Sequence, residues 1–117
     1  MKNILWYIMK ELITYADFQK LELRTGRIKS AERVAGTDKL MRIIVDIGSG
    51  ERQLVAGIAE TYSADELIGK NIIVLANLVP KKLKGLESQA MLLAAVVDNK
   101  PVLLTTDKNT EPGAAVM

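Results

Sequence analysis

The sequence predicts a mainly β domain: a small closed barrel of five strands, with an N-terminal helix and a short helix between strands three and four. Three observations predict it. The apolar period changes from helical to two at about Leu21 and stays short for most of the chain. Gly26 stands where the alternation of the first strand changes phase. Breaks rich in Gly, Asn and Asp then part the later alternating runs. The 117 residues suit one domain, and 49% apolar against 26% charged residues describe a folded chain rather than a disordered one.

The elements follow in order. Residues 4–16 read as a helix, because Ile4, Leu5, Ile8, Leu12 and Ile13 recur at helical spacing. Trp6, Tyr7 and Met9 widen that stripe, so the helix wants cover on more than one side. It is expected to pack on its own domain or to join two copies of the chain, which sets residues 1–16 apart from a barrel domain at 17–117. From Leu21 to Arg33 runs one long strand, with Leu23 and Thr25 on one face and Glu22 and Arg24 on the other. The phase flip at Gly26 marks a bulge or barrel corner. Val34 to Lys39 is a turn.

The second strand spans about Leu40 to Ile47, with Met41, Ile43, Val45 and Ile47 facing one way. Gly48 to Glu51 closes a hairpin into a third strand at Arg52–Ala56. Ser63 and Glu66 have the spacing of a capping box, opening a short helix that Gly69 ends. Asn71–Leu78 and Gln89–Val97 are strands four and five, each apolar on both faces. A basic loop, Pro80 to Glu87, joins them. Asp98 to Pro101 turns the chain into Val102–Thr105. Five strands, a bend at a glycine and a helix between strands three and four outline a barrel of the oligonucleotide-binding (OB) type. A β-sandwich is the structural alternative. Two-faced apolar strands need an outer cover, from the terminal helix, the tail or a second copy, and a homodimer is expected.

Several function classes are excluded by composition. With no Cys and no His, the chain has no disulfide, thiolate nucleophile, histidine triad or thiolate–imidazole zinc site. No cofactor is expected. An enzyme built on Asp46, Glu60 or Asp65 lacks any flanking glycine-rich or metal-ligand pattern, and Asp65 with Glu66 is accounted for by a helix N-terminus. The apolar run Ile4–Met9, six residues, is far short of the roughly 20 residues of a membrane span and short for the about 7–15 of a signal core. A soluble, cytoplasmic protein without membrane contact is expected.

Lys and Arg total 16 against 14 acidic residues, a net charge of +2. The charge is clustered. Residues 20–53 carry +3, residues 54–69 carry −3 and residues 70–87 carry +3 again. Such blocks suit a polyanionic partner better than the net charge does. The most informative stretch is Asn77 to Met91. Lys81, Lys82 and Lys84 stand there between Pro80 and Gly85, beside a barrel strand, where flexible point charges can meet backbone phosphates.

That stretch resembles the tRNA-binding domain at the C-terminus of many bacterial methionyl-tRNA synthetases. It is also similar to the free-standing tRNA-binding proteins of that type, including the detached beta subunit of archaea. The matching residues are Asp17-Phe18, Leu23-Arg24-Thr25-Gly26-Arg27-Ile28, Asp38-Lys39-Leu40 and Val45-Asp46-Ile47-Gly48. Val55-Ala56-Gly57-Ile58, Tyr62-Ser63, Glu66-Leu67-Ile68-Gly69 and Asn77 through Met91 complete the set, over roughly residues 15 to 113. The resemblance implies a non-catalytic barrel that binds tRNA and partners a methionyl-tRNA synthetase catalytic subunit. It also implies that Asn77, Lys82, Ser88 and Met91 line the nucleic-acid site, with Lys81 and Lys84 beside them. Ala90 stands where the family usually has Gly. Arg24, Lys39 and Arg42 are further basic candidates on the barrel.

Of five aromatic residues four precede residue 19, leaving Tyr62 alone on the barrel. Single-strand readers stack bases on several rings, which this barrel cannot offer. Recognition is therefore expected to rest on phosphate, ribose and shape, with one or two unstacked bases at most. The alternative function is that of a protein-binding chaperone with the same barrel.

Overall fold

The structure, a computed structural model, describes residues 10–117. Its central sheet is built from β1 (Leu23–Arg33), β2 (Met41–Asp46), β3 (Glu51–Ala56), β4 (Asn71–Leu75) and β7 (Met91–Leu92), in the order β3-β2-β1-β4-β7. All neighbours are antiparallel. β1 serves both sides of the sheet. Its first half pairs with β4 from Leu23 to Arg27, and its second half pairs with β2 from Arg27 to Arg33.

Strict alternation on β2 makes one wall of the core. Met41, Ile43 and Val45 are fully buried, and Ile47 continues the row just past the strand. Ile28, Leu54, Leu67, Ile72 and Val74 complete the centre of the barrel. β4 buries Ile72, Ile73 and Val74 in succession, as its two-faced apolar sequence requires.

The barrel closes through one main-chain bond and two side chains. Just ahead of β7, the Gln89 N–H donates to the Gln53 carbonyl of β3 at 2.8 Å. The Gln89 side-chain oxygen accepts the Gln53 N–H at 2.9 Å, and the Ser88 hydroxyl accepts the Val55 N–H at 3.1 Å. The ring of strands is thereby nearly complete.

Helix α2 (Ala64–Leu67) forms where the capping box predicts it. Ser63 Oγ accepts the Glu66 N–H, and Glu66 reaches back to the Ser63 N–H. Leu67 anchors it in the core and Gly69, at φ +86°, turns the chain into β4.

The C-terminal segment straps the barrel. β10 (Ala115–Val116) pairs with the start of β1, opposite β4. Thr25, buried beneath it, donates from its hydroxyl to the Glu111 carbonyl and accepts the Ala114 N–H, each at 2.9 Å. Arg27 reaches the Thr110 carbonyl at 2.8 Å. Gly48 and Gly113 touch backbone to backbone at positive φ, and a Cβ on Gly48 would lie 2.8 Å from the Pro112 carbonyl oxygen.

Four expectations are corrected. The expected helix over 4–16 falls outside the described residues up to Met9. Among the described residues, positions 10–13 are not helical, and helix α1 is Tyr15–Phe18. A capping box fixes that start: Thr14 Oγ1 accepts the Asp17 N–H, and Asp17 returns the bond. Lys20 and the Thr14 N–H together hold the exposed Asp17 carboxyl below its ordinary value. The bulge of β1 lies between Ile28 and Ser30 rather than at Gly26. Gly26 instead permits close approach, since a Cβ there would stand 2.7 Å from Val45 Cγ2 and 3.3 Å from Val74 Cγ2.

The expected fifth strand, Gln89–Val97, is broken. Only β7 stays on the barrel, while β8 (Ala94–Val97) leaves it to form a hairpin with β9 (Lys100–Leu103). Val96 and Val97 are consequently exposed, not buried. The basic loop Pro80–Glu87 is itself a hairpin, of β5 (Lys81–Leu83) and β6 (Leu86–Ser88). No helix among the described residues is long and apolar enough to cross a membrane.

Candidate nucleic-acid interface

The lysine hairpin has a defined local logic. Pro80 enters it, Lys81 pairs with Ser88, Lys82 with Glu87 and Leu83 with Leu86. The two-residue turn is Lys84-Gly85, with φ of +51° and +79°. Both residues at positive φ is the type I′ arrangement, which favours Asn-Gly or Asp-Gly. The β8–β9 hairpin makes its own two-residue turn with Asp98-Asn99, at φ +51° and +61°. Lysine at the tip of the first hairpin is thus a costly choice beside the solution used in the second. An L-residue there carries a steric cost of about 1 kcal/mol. Lys81, Lys82 and Lys84 are all exposed, and among the described residues none of them forms an ion pair.

A groove of about 360 Å³ opens at the foot of this hairpin. Lys81, Ser88 and Met91 line it, together with Val79, Ile58 and Leu83. Ser88 is already engaged: its hydroxyl accepts the Val55 N–H and donates to the Ala90 carbonyl, both at 3.1 Å. Ala90 is buried and its φ is not positive, so alanine fits where the family usually has glycine.

Arg42 joins the hairpin through a polar chain. Its Nε donates to Gln53 Oε1 at 2.8 Å, and Gln53 Nε2 donates to the Glu87 carbonyl at 2.9 Å. Arg42 also pairs with Glu32 at 2.9 Å, which neutralises part of its charge. Lys39 is exposed in the β1–β2 loop, where its carbonyl accepts the Ala59 N–H. In an OB barrel that loop, the strand 2–3 face and the loop before the last strand form the nucleic-acid surface. Lys39, Arg42 and the lysine hairpin occupy those three places.

Two sequence candidates sit apart. Asn77 works as a clamp: its side chain accepts the Glu22 N–H at 2.9 Å and donates to the Lys20 carbonyl at 2.7 Å. Arg24 donates to the Gly113 carbonyl at 3.2 Å. Both line a second depression, with Tyr15, Phe18 and Met117. Sequence reasoning missed Gln53 and Gln89, which close the barrel and connect Arg42 to the hairpin. Polar residues interrupting apolar strands are the signal that marks them. It also missed Gly57, Val79 and Pro101 at the groove.

Comparison with known proteins gives a consistent result. Residues 23–115 match the family described as "Putative tRNA binding domain". The chain is 53% identical over 107 residues to a methionine–tRNA ligase of Archaeoglobus fulgidus, covering 92% of this chain and 16% of that protein. It is 52% identical over 104 residues to the methionine–tRNA ligase of Thermotoga maritima, covering 89% and 16%. Among solved structures, a methionyl-tRNA-synthetase-related protein of Pyrococcus horikoshii superposes with a TM-score of 0.86 at 39% identity, covering 92% of this chain and all of that one. The chaperone CsaA of Bacillus anthracis superposes at 0.84 with 28% identity, over 92% of this chain and all of that one. The chain spans about 16% of the length of the ligases it matches.

Proposed function

The chain belongs to the tRNA-binding domain family, and from that premise we propose that it is a non-catalytic module gripping tRNA by backbone and shape. The observation that carries this reading is the lysine hairpin. Its three ammonium groups, without an ion pair among the described residues, stand on the OB surface beside Arg42 and Lys39. The scarcity of aromatic residues on the barrel supports contact with phosphate and ribose rather than a stacking platform. Binding to many tRNAs follows, with amino-acid identity left to a partner. Its similarity to methionine–tRNA ligases supports service to a methionyl-tRNA synthetase, as an attached domain or a separate subunit in the cytoplasm.

Titration of bulk tRNA against salt tests the reading. Affinity should fall linearly on a log–log plot, each phosphate contact contributing roughly −0.7 to −0.9 to the slope. Chaperone activity is the second reading, favoured by the CsaA structures and by exposed Val79, Val96 and Val97. That binding would take an unfolded chain and persist at high salt.

The hairpin tip makes a separate prediction. Lys84→Asn should stabilise the fold by about 0.5–1 kcal/mol, because Asn accepts the left-handed turn more readily. The same change should weaken tRNA binding by up to about tenfold and reduce the salt slope by about one unit. Thermal unfolding and tRNA titration on one protein sample check both signs.

A homodimer is part of this proposal. Leu12, Ile13, Tyr15 and Leu21 are exposed near the start of the barrel, and such apolar surface calls for cover. Sedimentation should give a dimer for the full chain and a monomer for one lacking residues 1–16. A monomeric full chain would end this part of the proposal.

A further inference from the structure

We propose that the groove at the foot of the lysine hairpin seats one unstacked nucleobase of the bound RNA, with the neighbouring phosphate on Lys81. The inference rests on the tRNA-binding reading and adds a base site to it. Four observations carry it. The groove is apolar and about 360 Å³ in volume, within the roughly 300–1,000 Å³ of small-ligand sites. Among the described residues, Lys81 is the only charged side chain lining it, and no carboxylate does. An occupant with an apolar body and an adjacent negative charge fits that layout, and a nucleotide has both. An uncharged peptide would leave Lys81 unused.

The third observation concerns selectivity. The Ser88 hydroxyl commits its single proton to the Ala90 carbonyl and one lone pair to the Val55 N–H, so it has no donor left with which to read a base edge. The groove therefore accepts any base by its faces, and purines bury more area than pyrimidines. This matches binding to many tRNAs. The fourth observation is that Val79 and Met91, 83% and 47% exposed, present apolar surface at the mouth without cover from the described residues.

Gly57 supplies the test. It lines the groove, its φ is not positive, and an added Cβ would meet nothing within 4 Å. Gly57→Leu should therefore plug the groove without strain while leaving every lysine in place. Bulk tRNA affinity should fall about tenfold, the effect of losing one base contact, at an unchanged salt slope. Val79→Ser, at an exposed position, should lower it about threefold. In methyl NMR spectra, adenosine 5′-monophosphate should shift the Met91 and Val79 signals of the unaltered protein and not of Gly57→Leu. Ribose 5-phosphate should leave them in place.

Wild-type tRNA affinity in both variants would overturn the base site while the phosphate reading stood. Equal methyl shifts with ribose 5-phosphate would overturn it too. So would tighter occupancy by a neutral leucine-rich peptide than by the nucleotide, which would assign the groove to a protein chain. Absence of tRNA binding by the unaltered protein would overturn both readings together.

Discussion

Replacing Lys81, Lys82 and Lys84 together by alanine is expected to lower tRNA affinity by about two to three orders of magnitude near 0.1 M salt, and to flatten the log–log salt slope by about two to three units. The size follows from counterion release. Each ammonium–phosphate contact frees close to one condensed cation, and at about 0.1 M salt each contributes close to one decade of affinity. The three side chains are exposed, so truncating them leaves the Leu83–Leu86 pair and the hairpin register intact. The melting temperature should scarcely move. The slope is the decisive readout, because lost shape complementarity would lower affinity at every salt concentration alike. A triple variant that keeps the wild-type slope would move the binding site elsewhere on the barrel.

Gly48→Ala, in the β2–β3 turn, should destabilise the fold by about 2–4 kcal/mol, with a fall in melting temperature of about 10 °C. Two costs add there. The backbone of Gly48 sits at φ +87°, and the new Cβ would stand 2.8 Å from the Pro112 carbonyl oxygen and 2.9 Å from Gly113 Cα. Backbone cannot turn aside as a flexible side chain does, so the strap must lift. Gly113→Ala meets the same obstacle from the other side, with Ile47 O at 2.7 Å. Because the strap satisfies the buried Thr25 hydroxyl, lifting it also strips that group of two hydrogen bonds. Thermal unfolding measures the loss. Hydrogen exchange at the Thr25 amide, which donates to the Ala114 carbonyl, shows whether the strap is what came away.

The sequence carried the barrel's inner wall plainly. Alternation of Met41, Ile43, Val45 and Ile47 marked a one-sided strand, and all four are buried. The Ser63–Glu66 capping box marked a helix start that the structure reproduces. What stayed hidden depends on partners distant in the chain. Gly26 resembled a bulge because its absent side chain and a phase flip coincide, yet its role is to let Val45 and Val74 approach. Past Gln89 the run Ala90–Val97 is uniformly apolar, so nothing local signals that the chain leaves the barrel after β7.

The site divided along the same line. Charge clustering and the Pro80–Gly85 frame made the lysines legible in the sequence alone, because exposed charges owe little to their surroundings. Asn77, Ser88 and Arg42 are different. Their hydrogen bonds run to Glu22, Val55 and Gln53, which lie 55, 33 and 11 residues away. Those hydrogen bonds tie the three side chains into the fold, so alanine at any of them is expected to cost stability as well as binding, and thermal unfolding beside tRNA titration reads the two effects separately.

The join between β3 and the segment before β7 gives the cylinder an uneven circumference. The other neighbouring staves are laced by main-chain ladders, whereas here a single main-chain bond, from the Gln89 N–H to the Gln53 carbonyl, is backed by the Gln89 side-chain amide and the Ser88 hydroxyl as stitches. A wall fastened this way gapes more cheaply than a laced one. An anionic strand gripped by the hairpin as proposed would lie beside that line, because β6 ends at Ser88. Its grip would then work as a clasp, tightening the vessel it rests on and tying occupancy to mechanical rigidity.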